Sequence, residues 1–322
     1  MAKISLVVPM YNEAENVSPF YESVSRVLND IGLPWEMICV NDGSRDNTLT
    51  YLIALHQRDP RVKVVDFSRN FGKEVALSAG IDYATGDAVV TIDADLQHPP
   101  DVIKELISKW YDGCDIVFAV RRTRKVEGLF KRITTRIFYR VLGWLANIPN
   151  HDKIGDFCLL DKRVLEVLRK LPEHNRFMKG LFAWVGFKQD FVVYDLNTRK
   201  RGTTKWSYWR LWNFALEGIT SFSTIPLRMW TYIGFAIALV SFLYAAFIIV
   251  HTLVLGIDVP GYASLIVSIL FMGGIQLISL GIIGEYIGRI YNEVKERPLY
   301  IVREAYGFDT PKEMGVTALE NR

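Results

Sequence analysis

The apolar run Val89-Val90-Thr91-Ile92 delivers two carboxylates, Asp93 and Asp95, separated by a single residue. In a solvated turn such a pair is unremarkable. At the end of a buried strand it is not, because two desolvated carboxylates repel unless a cation lies between them. Hard oxygen donors select Mg²⁺ or Mn²⁺, and Mg²⁺ commonly takes one or two carboxylates and fills its shell with water and substrate phosphate oxygens. The pair therefore points to a substrate carrying a diphosphate. Two further apolar runs end in polar clusters, Pro9-Met10-Tyr11-Asn12-Glu13 and Asn41-Asp42-Gly43-Ser44. These residue types also build ordinary turns. Set beside the acid pair they would line one crevice, in which Asp42 could accept hydrogen bonds from a base or a ribose. No Gly-x-Gly-x-x-Gly and no Gly-x-x-x-x-Gly-Lys occurs, which leaves neither a dinucleotide fingerprint nor a P-loop.

The elements that must hold these residues alternate. Ile4–Pro9, Trp35–Asn41, Val62–Ser68, Ala88–Asp93 and Asp115–Val120 read as strands, and Glu15–Ile31, Thr48–His56, Lys73–Tyr83 and Pro100–Tyr111 as helices. Strands joined by crossover helices predict an α/β fold with a mostly parallel, Rossmann-like sheet. Ligands on such sheets bind beyond the carboxyl ends of the strands, which is where the polar clusters fall.

The chain has 322 residues, with 38 Lys+Arg against 35 Asp+Glu. A formal net charge of +3 is too small to suggest a nucleic-acid partner, and the apolar and aromatic content excludes a disordered chain. Cys39, Cys114 and Cys158 are scattered and odd in number, which fits a reducing compartment better than a disulfide framework. The charge distribution is uneven. Met229–Leu255 and Val259–Gly284 contain no Asp, Glu, Lys or Arg, and each exceeds the ~20 residues a helix needs to cross a bilayer. Ile4–Pro9 is too short an apolar run for a signal peptide. Basic residues precede the first charge-free stretch and follow the second, while the short connection between them has none, so both ends are expected on the cytoplasmic side. Ahead of the spans, residues 129–145 place Leu129, Ile133, Ile137 and Val141 on one helical face and Lys131, Arg132, Arg136 and Arg140 on the other. This is either a surface helix of the globular domain or one lying on an anionic membrane. Residues 206–227 are crowded with Trp206, Tyr208, Trp209 and Trp212, as suits a headgroup region. Gly274, Gly281, Gly284 and Gly288 allow close helix packing, against the first span or in self-association.

Val8-Pro9-Met10-Tyr11-Asn12-Glu13, Asn41-Asp42-Gly43-Ser44, Asn70-Phe71-Gly72-Lys73, Asp93-Ala94-Asp95 and Gly155-Asp156-Phe157 occur in the order seen in family 2 glycosyltransferases of the GT-A fold. With Arg201-Gly202-Thr203-Thr204-Lys205, the two spans and Gly284-Glu285-Tyr286-Ile287-Gly288-Arg289, the chain resembles bacterial polyprenyl-phosphate glycosyltransferases. Among these it is most similar to the bactoprenol glucosyltransferases of O-antigen modification and to dolichyl-phosphate mannose synthases.

The resemblance implies an inverting transfer of a sugar, glucose by the nearest resemblance, from a UDP-sugar to a polyprenyl phosphate such as undecaprenyl phosphate. That reaction would take place at the bacterial inner membrane, with a multi-pass anchor and a cytoplasmic catalytic domain. It implies four parts: a GT-A domain over residues 1–205, an interfacial helix over 206–227, a two-helix anchor over 228–290 and a cytosolic tail over 291–322. It also implies roles. Pro9, Tyr11, Glu13, Asp42 and Asp93 would hold the nucleotide, and Asp93 and Asp95 would bind Mg²⁺ or Mn²⁺. Asp156 would be the catalytic carboxylate. Arg121 with Lys131 or Arg132 would grip the acceptor phosphate, and Arg201 and Lys205 would close over the diphosphate. Cys158 departs from the Arg that related enzymes often carry there. The acceptor is a phosphate monoester with a second pKa near ~6, largely dianionic at neutral pH, so Asp156 could serve as a positioning group as readily as a proton acceptor. Rival readings are a processive polysaccharide synthase, whose Gln-x-x-Arg-Trp motif is absent, and a non-catalytic lipid carrier or scaffold.

Overall fold

The structure is a computed structural model and describes residues 2–122, 155–171, 173, 176, 178–195, 225–255 and 261–308. Its centre is an eight-stranded sheet in the order β7-β5-β6-β4-β1-β2-β3-β8. The first half alternates as the sequence predicts: β1 (Ile4–Met10), α1 (Val17–Ile31), β2 (Trp35–Asn41), α2 (Thr48–Arg58), β3 (Val62–Phe67), α3 (Lys73–Tyr83), β4 (Ala88–Thr91), α4 (Val102–Tyr111) and β5 (Ile116–Arg121). β1 pairs in parallel with both β2 and β4, and β2 with β3. The chain winds outward from β1 to β3 and then returns to the other side of β1. The strand order therefore reverses between β1 and β4, the place where a parallel sheet opens a ligand crevice.

These strands are buried on both faces, which is why they read as nearly continuous apolar runs. Leu6, Val8, Val62 and Val64 face one core, under α1, α2 and α4, while Val7, Val65 and Phe67 face a second, with Ala76 and Leu77 of α3. β4 ends at Thr91, two residues before the expected boundary, so Asp93 and Asp95 stand in the turn beyond the strand.

The rest of the sheet is less regular. β6 (Cys158–Asp161) runs antiparallel between β4 and β5, and α5 (Lys162–Lys170) and α6 (Met178–Trp184) follow it. β7 (Gln189–Tyr194) then pairs in parallel with β5.

Two long helices, α7 (Ile225–Leu255) and α8 (Tyr262–Val294), come next. Within α8, Phe271–Val294 is long and apolar enough to cross a membrane. That window lies further along the chain than the charge-free stretch Val259–Gly284 and takes in Glu285 and Arg289, which pair one helical turn apart at 3.0 Å. The described apolar window of the first helix, Tyr232–Tyr244, is shorter.

The expected separate tail over 291–322 is corrected by the structure. Its first residues finish α8, and β8 (Val302–Tyr306) pairs antiparallel with β3 as the edge of the catalytic sheet. The α/β unit is thus built from two separated parts of the chain. The expected amphipathic helix over 129–145 and nearly all of 206–227 lie outside the described residues.

Candidate active site

The β6 strand does what parallel strands alone could not. Because it runs against its neighbours, the residues just before it lie at the carboxyl ends of β4 and β5, and Cys158 pairs in register with Thr91. The Thr91 hydroxyl donates to the Asp156 carbonyl, which fixes the turn that carries the Asp156 carboxylate. Asp156 is brought in this way to Asp93, with one ammonium between them. Lys73, the first residue of α3, places Nζ 2.7 Å from Asp93 Oδ1 and 2.7 Å from Asp156 Oδ2. Lys179 of α6 approaches the other oxygen of Asp156, Oδ1, at 3.4 Å, an ion-pair distance without hydrogen-bond geometry.

Charge in this cluster is finely divided. Burial pushes the Asp156 carboxyl up, but the ammoniums of Lys73 and Lys179 outweigh it and hold the group below the usual carboxylate range. Glu74, next on α3, goes the other way. Burial and the nearby Asp156 charge push its carboxyl up to about 7, while it accepts the Met178 backbone N–H at 3.2 Å. Burial likewise lowers His98, against the pull of Asp93 and Asp95. Its Nε2 lies 3.9 Å from Asp93, and Nδ1 is 2.6 Å from the hydroxyl of Tyr194 at the end of β7.

Asp95 turns back on its own loop, accepting from the Gln97 N–H at 3.0 Å and from Gln97 Nε2 at 2.6 Å. This closes a turn with Leu96 at φ 58°, a left-handed conformation that a leucine rarely adopts. Asn12, across the crevice, is also left-handed at φ 55°.

The residues expected to meet a nucleotide fall at the ends of β1 and β2. Pro9 is half-buried and Tyr11 is 43% exposed. Burial raises the Glu13 carboxyl, with Asp95 and Asp93 adding to the rise, which marks how near this loop comes to the acid pair. Asp42 is buried and its carboxylate is engaged: it accepts from Phe71 N at 2.6 Å, Gly72 N at 3.0 Å and Asn70 Nδ2 at 2.9 Å. Its immediate work is to pin the segment before α3 that delivers Lys73. Gly43 makes that contact feasible. At φ 61° it lets the two loops touch, and a Cβ there would meet the Arg69 carbonyl carbon at 2.4 Å. Arg121 is exposed at the end of β5, on the same edge of the sheet. Lys131, Arg132, Arg201 and Lys205 lie outside the described residues.

The sequence reading gave no role to Lys73, Glu74, His98, Lys179 or Tyr194. Lys73 stood inside a quoted motif, but the others carry no local signal, since their meaning depends on which strands become neighbours.

The acid pair suits a cation that takes few protein ligands. Among the described residues no three His, Cys, Asp or Glu side chains converge as a closed metal cage. Asp93 and Asp95 offer hard oxygens, and Asp93 already attracts a cation in the form of the Lys73 ammonium. That donor set fits a divalent ion whose shell is completed by substrate oxygens.

A family model for glycosyl transferase family 2 matches residues 5–169. The chain belongs to that family. In this family 2 glycosyl transferase a second model, the GtrB C-terminal hairpin, matches residues 225–290 and so covers most of α7 and α8. The transferase is 55% identical over 95% of its length, and 96% of the relative's, to an uncharacterized glycosyltransferase of Synechocystis sp.. It is 50% identical over 94% of its length, and 98% of the relative's, to an SfII prophage-derived bactoprenol glucosyl transferase of Shigella flexneri. Among solved structures it is similar to glucosyl-3-phosphoglycerate synthase from Mycobacterium tuberculosis in complex with Mn²⁺, UDP-glucose and phosphoglyceric acid. That match is 20% identical with a TM-score of 0.47, over 69% of this chain and 78% of the other. The β8 segment lies beyond both matched regions.

Proposed function

We propose that this family 2 glycosyl transferase moves glucose from UDP-glucose to the phosphate of a polyprenyl phosphate, with inversion, at the cytoplasmic face of a bacterial inner membrane. One observation carries the reading. Asp93 and Asp156 share the Lys73 ammonium at the strand-order reversal, with Asp95 two residues beyond Asp93, in a chain that matches a bactoprenol glucosyl transferase along 94% of its length. In the reaction an acceptor phosphate oxygen bonds to the anomeric carbon as the bond from that carbon to the diphosphate breaks, and UDP leaves. Mg²⁺ or Mn²⁺ on Asp93 and Asp95 would neutralise the charge developing on the diphosphate.

The chain's own residues supply the rest. Asp156, held ionised by two lysines, is poorly placed to collect a proton, and a dianionic acceptor has none to give up. Asp156 therefore orients Lys73 and Lys179, whose ammoniums face the anionic reactants. Pro9, Tyr11 and Glu13 border the nucleotide, and Asp42 supports it through the 70–72 segment. Arg121, Lys131 or Arg132 receive the acceptor phosphate, and Arg201 and Lys205 close on the diphosphate. The two charge-free stretches act as a two-span anchor with both ends cytoplasmic, keeping the crevice beside a phosphate that cannot leave the bilayer.

The test is direct. The full chain in detergent, given labelled UDP-glucose, Mn²⁺ and undecaprenyl phosphate, should form a labelled lipid, and chelation or Asp95→Ala should stop it. Absence of any labelled lipid across a panel of nucleotide sugars would sink the transferase reading and return the scaffold alternative.

A further inference from the structure

The chain leaves α8 and re-enters the catalytic sheet within a few residues. Tyr300 is buried, stacks on Phe67 with ring centroids 5.2 Å apart and donates its hydroxyl to Asp82 at 3.0 Å. The backbone N–H of Ser68 donates to the Ile301 carbonyl at 3.0 Å, and β8 then pairs with β3. The pairing is not continuous. Glu304 lies opposite Asp66 and Val302 opposite Phe67, which leaves Arg303 as an extra residue in a bulge. Under unbroken alternation Arg303 would face away from Asp66, the partner of its neighbour Glu304. Bulges re-aim side chains in this way, often beside active sites. Here Arg303 Nε donates to Asp66 Oδ2 at 2.7 Å.

Asp66 is almost wholly buried and is the register partner of Asn41, whose Nδ2 donates to Asp66 Oδ1 at 2.7 Å. With its amino end committed, the Asn41 amide presents its oxygen to Ser44 N–H at 3.4 Å. The Ser44 hydroxyl accepts from Asn12 N–H at 3.0 Å, and Asn12 Oδ1 accepts from Arg45 N–H at 2.8 Å. An unbroken series of polar contacts thus runs from the strand that follows the membrane helices to the loops ending β1 and β2.

We propose that Arg303 is a positioning residue for the donor pocket. This rests on the reading that the ends of β1 and β2 border the nucleotide. Arg303 holds the buried Asp66 carboxylate in place, and that carboxylate decides which end of the Asn41 amide faces Ser44. The stack of Tyr300 and the β8 ladder hold the strand without it. The bulge gives up a paired position and delivers this one contact.

The test uses the full chain in detergent and compares Arg303→Met, Arg303→Lys and wild type. UDP–Mn²⁺ affinity without acceptor, donor and acceptor KM, kcat, melting temperature and amide exchange are measured on each. Arg303→Met should weaken UDP binding and raise donor KM about five- to tenfold, with acceptor KM and kcat nearly unchanged. Arg303→Lys should recover most of the loss. Exchange should quicken at Asn12 and Ser44 and stay put in the β1–β2 ladder. A lower melting temperature with unchanged donor affinity, or a fall in kcat alone, overturns the proposal. If Arg303→Met does not fold, the same split is read at smaller size in Arg303→Lys, and an unchanged donor KM and Asn12 exchange there overturns it. Asp95→Ala separates the two levels: if it leaves UDP–Mn²⁺ binding intact, the donor-pocket reading itself fails, whatever Arg303 does.

Discussion

Two acid clusters, one buried and one half-buried, sit at opposite ends of the same sheet and are treated very differently. At the amino ends of β1 and β2, Glu36 accepts from Ser5 Oγ at 2.6 Å, Lys3 Nζ at 2.8 Å and both the N–H and hydroxyl of Thr85 at 2.9 Å, with Lys63 at 3.1 Å. Burial pushes its carboxyl up, yet the hydrogen bonds from Lys3, Ser5 and Thr85 win and bring it to about 2. At the carboxyl ends, Asp93 and Asp156 share one ammonium, and an oxygen of Asp156 has no hydrogen-bond partner among the described residues. The first cluster is satisfied by the fold alone and holds three elements together. The second is left incomplete, in the condition expected of groups that await a ligand. On the proposed function, the difference separates an acid kept for stability from acids kept for chemistry.

Substitutions should respect that division. The largest effect is expected at the incomplete end, where Asp93→Ala should cut sugar transfer by about a hundredfold or more while leaving the thermal unfolding midpoint close to wild type. A comparable loss of stability would place Asp93 with Glu36 instead. Glu36→Gln should do the reverse, removing about 3 kcal/mol of stability near neutral pH while the folded fraction keeps its donor KM, as denaturant titration beside kinetics will read. The sign follows from a carboxyl depressed in the folded state. Its stabilisation is full above about pH 4.5 and is lost as pH falls toward 2, so the variant's acid unfolding limb should be flatter there.

Glu74 sharpens the contrast from the other side. Its carboxyl is raised to about 7, so its contribution is full below about pH 4.5 and is lost as pH rises through 7. Glu74→Gln should therefore gain about 1 kcal/mol over wild type at pH 8 and nothing at pH 5, as paired melts would record. The smallest effect belongs to the exposed Arg122–Asp195 pair at 3.1 Å, where Asp195→Ala should shift stability by no more than about 0.5 kcal/mol. A larger shift would mean that pairing at this edge is not simply solvent-screened.

The first half of the fold was legible because its strands are buried on both faces and bounded by turn residues, so periodicity and punctuation agree. Asp93 and Asp95 were legible for the same reason, being polar groups at the end of an apolar run. Strands β6 and β8 were not. Each is four or five residues long, and β8, Val-Arg-Glu-Ala-Tyr, is largely polar because it is a sheet edge with one side toward water. Without β6 there was no way to see that Asp156 meets Lys73, and without β8 the residues after α8 looked like a separate tail. Lys179 and His98 gave no signal, since a lone lysine or histidine takes its meaning from neighbours contributed by other elements.

The sequence by itself determined the alternating first half of the α/β fold, the long apolar helices and the chemical character of the acids, because periodicity, punctuation and side-chain hardness are local properties. The tertiary structure alone decided which acids share a cation, which carboxylate stays ionised and which is pushed toward neutrality, and that a strand from beyond the two long apolar helices finishes the catalytic sheet. Those outcomes depend on distances between segments far apart in the chain, and an electrostatic interaction is set by separation and burial that no local pattern encodes.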